Sequence, residues 1–163
     1  MKNACQTKTN RKKFGLCDNP SPATDAAYID EADGAKWIAV VVNEYNFECT
    51  FTAVDHCIEI LKPNGKMAKR CDGILSYNDT VALIELKQRG ISGNIWVKEA
   101  EMQLRTTIGY FDKSDAAENF TTRRAYIANS EYPHSKESQA TRMEKFAEET
   151  GYVLRIEKRI ILV

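Results

Sequence analysis

The chain has 163 residues, 43% of them hydrophobic and 28% charged, a length at which one domain can bury its own core and a composition that excludes a wholly disordered or low-complexity polymer. Its 23 Lys and Arg balance 23 Asp and Glu, so net charge supplies no bulk attraction to nucleic acid, and any such affinity must come from charge gathered on one face. No apolar run approaches the roughly 18 residues of a membrane span, so no membrane association is expected.

Residues 1 to 34 begin basic at Lys2, Lys8, Arg11, Lys12 and Lys13, pass Pro20 and Pro22, and turn acidic at Asp25, Asp30, Glu31 and Asp33. That composition predicts an irregular N-terminal arm, with 35–163 forming the folded domain. The opening MKNACQTKTNRKK lacks the apolar stretch of a secretory signal. Five cysteines (Cys5, Cys17, Cys49, Cys57, Cys71) are odd in number and nowhere spaced C-x-x-C. Neither a disulfide framework nor a zinc knuckle is signalled, and a reducing cytoplasm is the expected compartment.

From Trp37 the pattern is that of strands. WIAVVVNE (37–44) and FTAVDHCIEIL (51–61) are β-branched and apolar and are expected to pair. Lys62-Pro63-Asn64-Gly65-Lys66 carries a turn signal, and KRCDGILSY (69–77) and VALIELKQ (81–88) flank Asn78-Asp79-Thr80 as a second hairpin. Three or four antiparallel strands in succession make a meander.

After Gly90 and Gly93 the period changes: Trp96, Ala100, Leu104, Thr107, Ile108 and Phe111 recur at steps of three and four, predicting an amphipathic helix over about 94–111. RRAYIANS (123–130) is a further strand. A polar helix over about 136–150 follows, capped by Ser135 with Ser138 next in line and ended by Gly151, and YVLRIEKRIILV closes the chain as a last strand. The sum is an α/β fold: a mixed central sheet, an antiparallel meander followed by helix-strand-helix-strand, flanked by helices.

The chemistry gathers on the second hairpin. Alternation in VALIELKQ puts Val81, Leu83, Glu85 and Lys87 on one face and Ala82, Ile84, Leu86 and Gln88 on the other. A carboxylate and an ammonium inside an apolar strand cost desolvation energy unless they are paired, ligated or at the strand's open end. Mirroring about Asn78-Asp79 brings Asp72 across from 85 or 86. Two carboxylates from adjacent strands offer the oxygen ligands a hard cation such as Mg²⁺ takes while keeping waters for a substrate. Lys87, one pleat on, can orient or deprotonate an attacking water or stabilise charge on a phosphate.

Asp72 followed by Glu85-Leu86-Lys87 resembles the PD-(D/E)XK nuclease superfamily, over about residues 51–130. The resemblance implies a restriction-endonuclease-like fold, Asp72 and Glu85 as metal ligands with the Leu86 carbonyl assisting, Lys87 serving the catalytic water, Mg²⁺ with Mn²⁺ as substitute, and nucleic acid as substrate, DNA before RNA. Cys71 stands where the motif has proline. The superfamily's upstream glutamate falls to Glu59, with Glu44 and Glu31 as other candidates. Gln103 lies beside the helix stripe and can face the sheet, where some members place a glutamine near the site; the alternative is a residue at the core's edge. Glu99 and Glu101 are expected in solvent. Lys69, Arg70 and Arg89, with Arg123 and Arg124 in support, would hold a phosphodiester backbone without reading its sequence.

Plainer readings exist for each feature. E-x-K is common on exposed strands, so Glu85 and Lys87 could be a structural ion pair. Asp55, His56 and Cys57 do not make a metal site, because neighbours on a strand face opposite ways. His134 follows Pro133 and is expected in a loop. Arg155, Glu157 and Arg159 suit the solvated face of an edge strand, with phosphate contact the alternative. The expected function is a metal-dependent nuclease, for which a homodimer would suit double-strand cleavage; the alternative is a catalytically inactive protein of the same fold that binds nucleic acid or a protein partner.

Overall fold

The computed structural model describes residues 5–19, 24–32, 34–87, 95–129 and 139–163. In chain order these form β1 (Gln6–Thr9), β2 (Lys13–Cys17), β3 (Tyr28–Asp30), β4 (Ala39–Val42), β5 (Cys49–Ala53), β6 (Gly73–Tyr77), β7 (Thr80–Lys87), α1 (Ile95–Phe111), β8 (Thr122–Asn129), α2 (Ala140–Thr150), β9 (Val153–Ile156) and β10 (Arg159–Ile161). One sheet runs β1-β5-β6-β7-β8-β9 and a smaller one β10-β4-β2-β3. The class is mixed α/β. Among the described residues no helix is long and apolar enough to cross a membrane.

Pairing in the large sheet is antiparallel from β1 to β7 and parallel from β7 to β9. The switch follows from the connections. A tight turn reverses the chain between β6 and β7, where Asn78 adopts φ 49°, a left-handed conformation that asparagine tolerates. Parallel neighbours need a crossover, and α1 and α2 supply one each.

The alternation of β7 sets the layers. Val81 and Leu83 pack with Trp96, Leu104 and Ile108 of α1, Phe146 of α2, and Ile127 and Leu154 of the neighbouring strands. Ala82, Ile84 and Leu86 face the other way, into a core with Phe51, Leu75 and Tyr126 and with Phe14, Leu16, Val41 and Ile160 of the small sheet. The molecule is thus small sheet, large sheet, helices. A strand buried on both faces reads as a nearly continuous apolar run, which is why its two charged residues stand out.

Several expectations need correcting. The segment expected as an irregular arm carries three strands, and Phe14, Leu16 and Cys17 are at most 1% exposed. Charged Lys12 and Lys13 and the shortness of the strand hid that buried run. WIAVVVNE and FTAVDHCIEIL do not pair: β4 lies between β2 and β10, and β5 between β1 and β6. The chain changes sheets at Asn43, whose amide donates to the Arg11 and Phe47 carbonyls at 3.1 and 3.0 Å and accepts from the Phe47 N–H. The closing stretch is not one strand either, since β9 ends the large sheet and β10 the small one. α1 and the Gly151 stop agree with expectation, Gly151 lying at φ 79°. The Ser135 cap, Ser138 and His134 lie outside the described residues.

Cys5 and Cys57 form a disulfide across a sequence separation of 52, with Cα atoms 5.9 Å apart. Spacing gave no hint because the antiparallel pairing of β1 with β5, with Gln6 beside Thr52, is what brings them together. The cysteine pattern therefore no longer argues for a reducing compartment. Cys17, Cys49 and Cys71 are buried thiols.

Candidate active site

Asp72 immediately precedes β6, and its N–H donates to the Ile84 carbonyl at 3.1 Å. With Gly73 in register with Ile84, Asp72 falls opposite Glu85. Glycine at position 73 lets the neighbouring strand β5 pack closely on the start of β6, since a Cβ there would come within 2.3 Å of the Phe51 ring. Asp72 Oδ2 accepts the Leu86 N–H at 2.7 Å. Leu86 therefore touches the site through its N–H, while its side chain is buried in the opposite core.

Glu85 and Lys87 share the helix-side face, Lys87 Nζ standing 3.1 Å from Glu85 Oε2. The same Nζ donates to Gln103 Oε1 at 3.1 Å, and Gln103 Nε2 donates to the Arg70 carbonyl at 3.2 Å. One turn on, Thr107 Oγ1 accepts the Cys71 N–H at 2.8 Å and donates to the Gln103 carbonyl. Helix α1 is thus fastened at two points to the segment entering β6, and Gln103 faces the site rather than the core's edge.

Asp72 and Glu85 are 7% and 2% exposed. Burial, followed by the charge of Glu85, raises the proton affinity of Asp72 well above the usual carboxylate range against the opposing Leu86 N–H. Burial pushes Glu85 up to about 7 even though the Lys87 ammonium pulls the other way. Glu85 Oε1 is buried with no hydrogen-bond partner. Two adjacent buried carboxyl groups that hold protons this tightly, one with an orphaned oxygen, suit a cation that would replace the protons. Among the described residues no group of three or more His, Cys, Asp or Glu is arranged to hold a metal. Mg²⁺ needs less, since it is commonly held by one or two carboxylates and several waters, and the donor set fits it on that count.

The sequence did not single out Asp18. It follows β2 of the small sheet and stands close enough to Asp72 for the two carboxyl groups to influence each other's protonation; burial and then the charge of Asp55 raise its proton affinity. Asp55 meets Arg70 Nη2 at 2.7 Å and His56 Nε2 at 3.4 Å. His56 lies in a turn at φ 62°, so the strand rule that separated it from Asp55 does not apply. The one local signal for Asp18 was an acid directly after a short apolar run, in a segment whose composition masked the strand.

The other expected residues divide. Lys69, Arg70, Lys87, Glu99, Met102, Gln103 and Asp55 line a cleft of about 370 Å³ beside the carboxylates. Lys69 is exposed there, whereas the Arg70 guanidinium is pinned to Asp55. Glu59 is exposed on the loop after β5 and is not brought to Asp72 and Glu85; β5 ends at Ala53, which removes it from the sheet. Glu44 is exposed, and Glu31 accepts from Thr9. Glu101 is not in open solvent but pairs with Arg105 and Arg142. Arg123 and Arg124 sit at the far end of β8, level with Val81 and Ala82. Arg89 lies outside the described residues. No family model, curated protein or solved structure significantly matches the chain.

Proposed function

We propose that this chain is a metal-dependent nuclease of the restriction-endonuclease-like fold, hydrolysing phosphodiester bonds of nucleic acid, DNA ahead of RNA. The observation that carries the reading is the facing of Asp72 and Glu85 on adjacent strands with Lys87 held between Glu85 and Gln103. An antiparallel hairpin bearing the acids, then a crossover helix and a parallel strand, is the support from topology.

Asp72 and Glu85 are the residues that would hold Mg²⁺, or Mn²⁺ in its place. When bound, such an ion lowers the pKa of water and neutralises charge on a phosphoryl oxygen. Asp72 is kept in place by the Leu86 N–H, and Glu85 by Lys87. Lys87 is fixed by two acceptors, and its remaining N–H points a charged donor at the cleft, where it can hold a phosphate oxygen or orient a water.

A second reading, a binding protein that keeps the triad without turnover, draws on the Lys87–Glu85 ion pair, which occupies an oxygen a cation would use. Incubating labelled single- and double-stranded DNA and RNA with Mg²⁺ or Mn²⁺ separates the two. Cutting by the wild type and not by Lys87→Ala is expected. Absence of cutting on every substrate removes the nuclease reading and leaves the binding one.

A further inference from the structure

A second concave surface lies on the other side of the large sheet, at the opposite end of β8 from Lys87. It is a groove of about 560 Å³ whose walls include Arg123, Arg124, Arg155 and Arg159. The groove arises where the chain changes sheets. β9 pairs with β8, placing Arg124 beside Val153 and Tyr126 beside Arg155. After Glu157 the chain crosses over, the Lys158 carbonyl accepts the Val40 N–H, and β10 runs along β4. The two sheets diverge from this crossing, and their outward-facing residues line the wedge between them.

Alternation sorts the strand residues: Leu154, Ile156 and Ile160 go to the cores, and Arg155, Glu157 and Arg159 stay exposed. Arg123 is spent within the protein, bonded to Asp112 and to the Ala117 and Phe120 carbonyls. Arg124, which lies beside the Tyr126 hydroxyl, Arg155 and Arg159 form no ion pair with a carboxylate among the described residues, whereas Arg70 and Arg142 elsewhere each have one and Arg105 has two. Three guanidiniums facing one carboxylate, Glu157, make this wall cationic in a chain of zero net charge. Val153 and Ile161 add exposed aliphatic surface at 44% and 50%.

We propose that this groove binds the sugar-phosphate backbone of a nucleic acid strand, separately from the carboxylate site. Planar guanidiniums bond phosphate oxygens in a bidentate manner, and Arg124, Arg155 and Arg159 come to the groove from three different strands, β8, β9 and β10, so it offers several separate contacts to an extended polyanion. The choice of nucleic acid as the polyanion rests on the nuclease reading; the arginines without a carboxylate partner do not. Contacts of this kind position a strand without reading its bases.

The test is fluorescence anisotropy of labelled single- and double-stranded oligonucleotides in EDTA, where cleavage plays no part, across a salt series. Wild type is compared with Arg155→Glu/Arg159→Glu, the milder Arg155→Ala/Arg159→Ala, and Arg105→Glu as a control on the helix side, all checked for folding by thermal melts. The groove variants should bind about tenfold or more weakly, with the salt slope reduced by about one per arginine lost, while Arg105→Glu stays at wild type. Unchanged affinity and slope in the folded alanine pair, no binding by wild type at low salt, or capture of phosphatidylserine vesicles in place of oligonucleotides would each overturn the proposal. Because the readout needs no metal, loss of cleavage with retained groove binding would remove the nuclease reading and leave this one standing.

Discussion

Gln103 of α1 accepts a hydrogen bond from Lys87 of β7 while its own amide N–H reaches back to the Arg70 carbonyl. One side chain thus joins the helix, the end of the central strand and the segment leading to Asp72. Its contribution is to aim the lysine, which would otherwise have only Glu85 to hold it.

Replacing Gln103 with Leu should therefore leave the fold in place and lower kcat by about tenfold, the effect of losing one hydrogen bond to a charged group. Lys87→Ala should lose far more. If Gln103→Leu cuts at the wild-type rate, the lysine is held by Glu85 alone.

The buried carboxyls give stability a particular pH dependence without metal. Burial pushes Glu85 up to about 7 in the fold against an ordinary 4.5, so between those values the folded state binds more protons than the unfolded one. Stability from this group is full below pH 4.5 and falls as pH rises through 7. Asp72 has the same sign. Thermal melts in EDTA should show a lower Tm at pH 8 than at pH 5.5, and Asp72→Asn should flatten the slope.

Divalent metal should reverse that trend. Mg²⁺ or Mn²⁺ competing with protons at the pair should raise Tm more at pH 8 than at pH 5.5, with about 2.7 kcal/mol gained at one hundred times Kd. Asp72→Ala should abolish the shift and Arg155→Ala should leave it. No shift at millimolar metal would count against the ligand pair.

Reduction of Cys5–Cys57 should destabilise the protein, since closing a loop of that length, a separation of 52, constrains the unfolded chain by about 4 kcal/mol in the entropy account. Melts with and without dithiothreitol, and of Cys5→Ser, measure it.

The pattern of β7 was legible because a strand covered on both sides must be apolar, so Glu85 and Lys87 were visible as exceptions and the turn at Asn78 fixed their partner. Gln103 followed from helical spacing. Asp18 was not legible, because its place depends on how the small sheet stacks on the large one, a long-range relationship that no local period encodes. Phosphate contact by Arg155 and Arg159 was raised as an alternative, but the groove they share was not legible for the same reason: they sit close in sequence but in different sheets. Glu59 was misplaced because a β-branched run continued past the point where β5 turns away.

The delivery of Asp18 from one sheet to the carboxyl of Asp72 on the other makes Phe14, Leu16 and Phe51, which fill the space between the layers, into spacers. Trimming or enlarging any of them would slide one acid against the other without touching either, so the core's thickness acts as a tuning screw for the charge density of the site. Volume-preserving exchanges there should be silent, and a change of a methyl group or two should register in metal affinity before it registers in the fold.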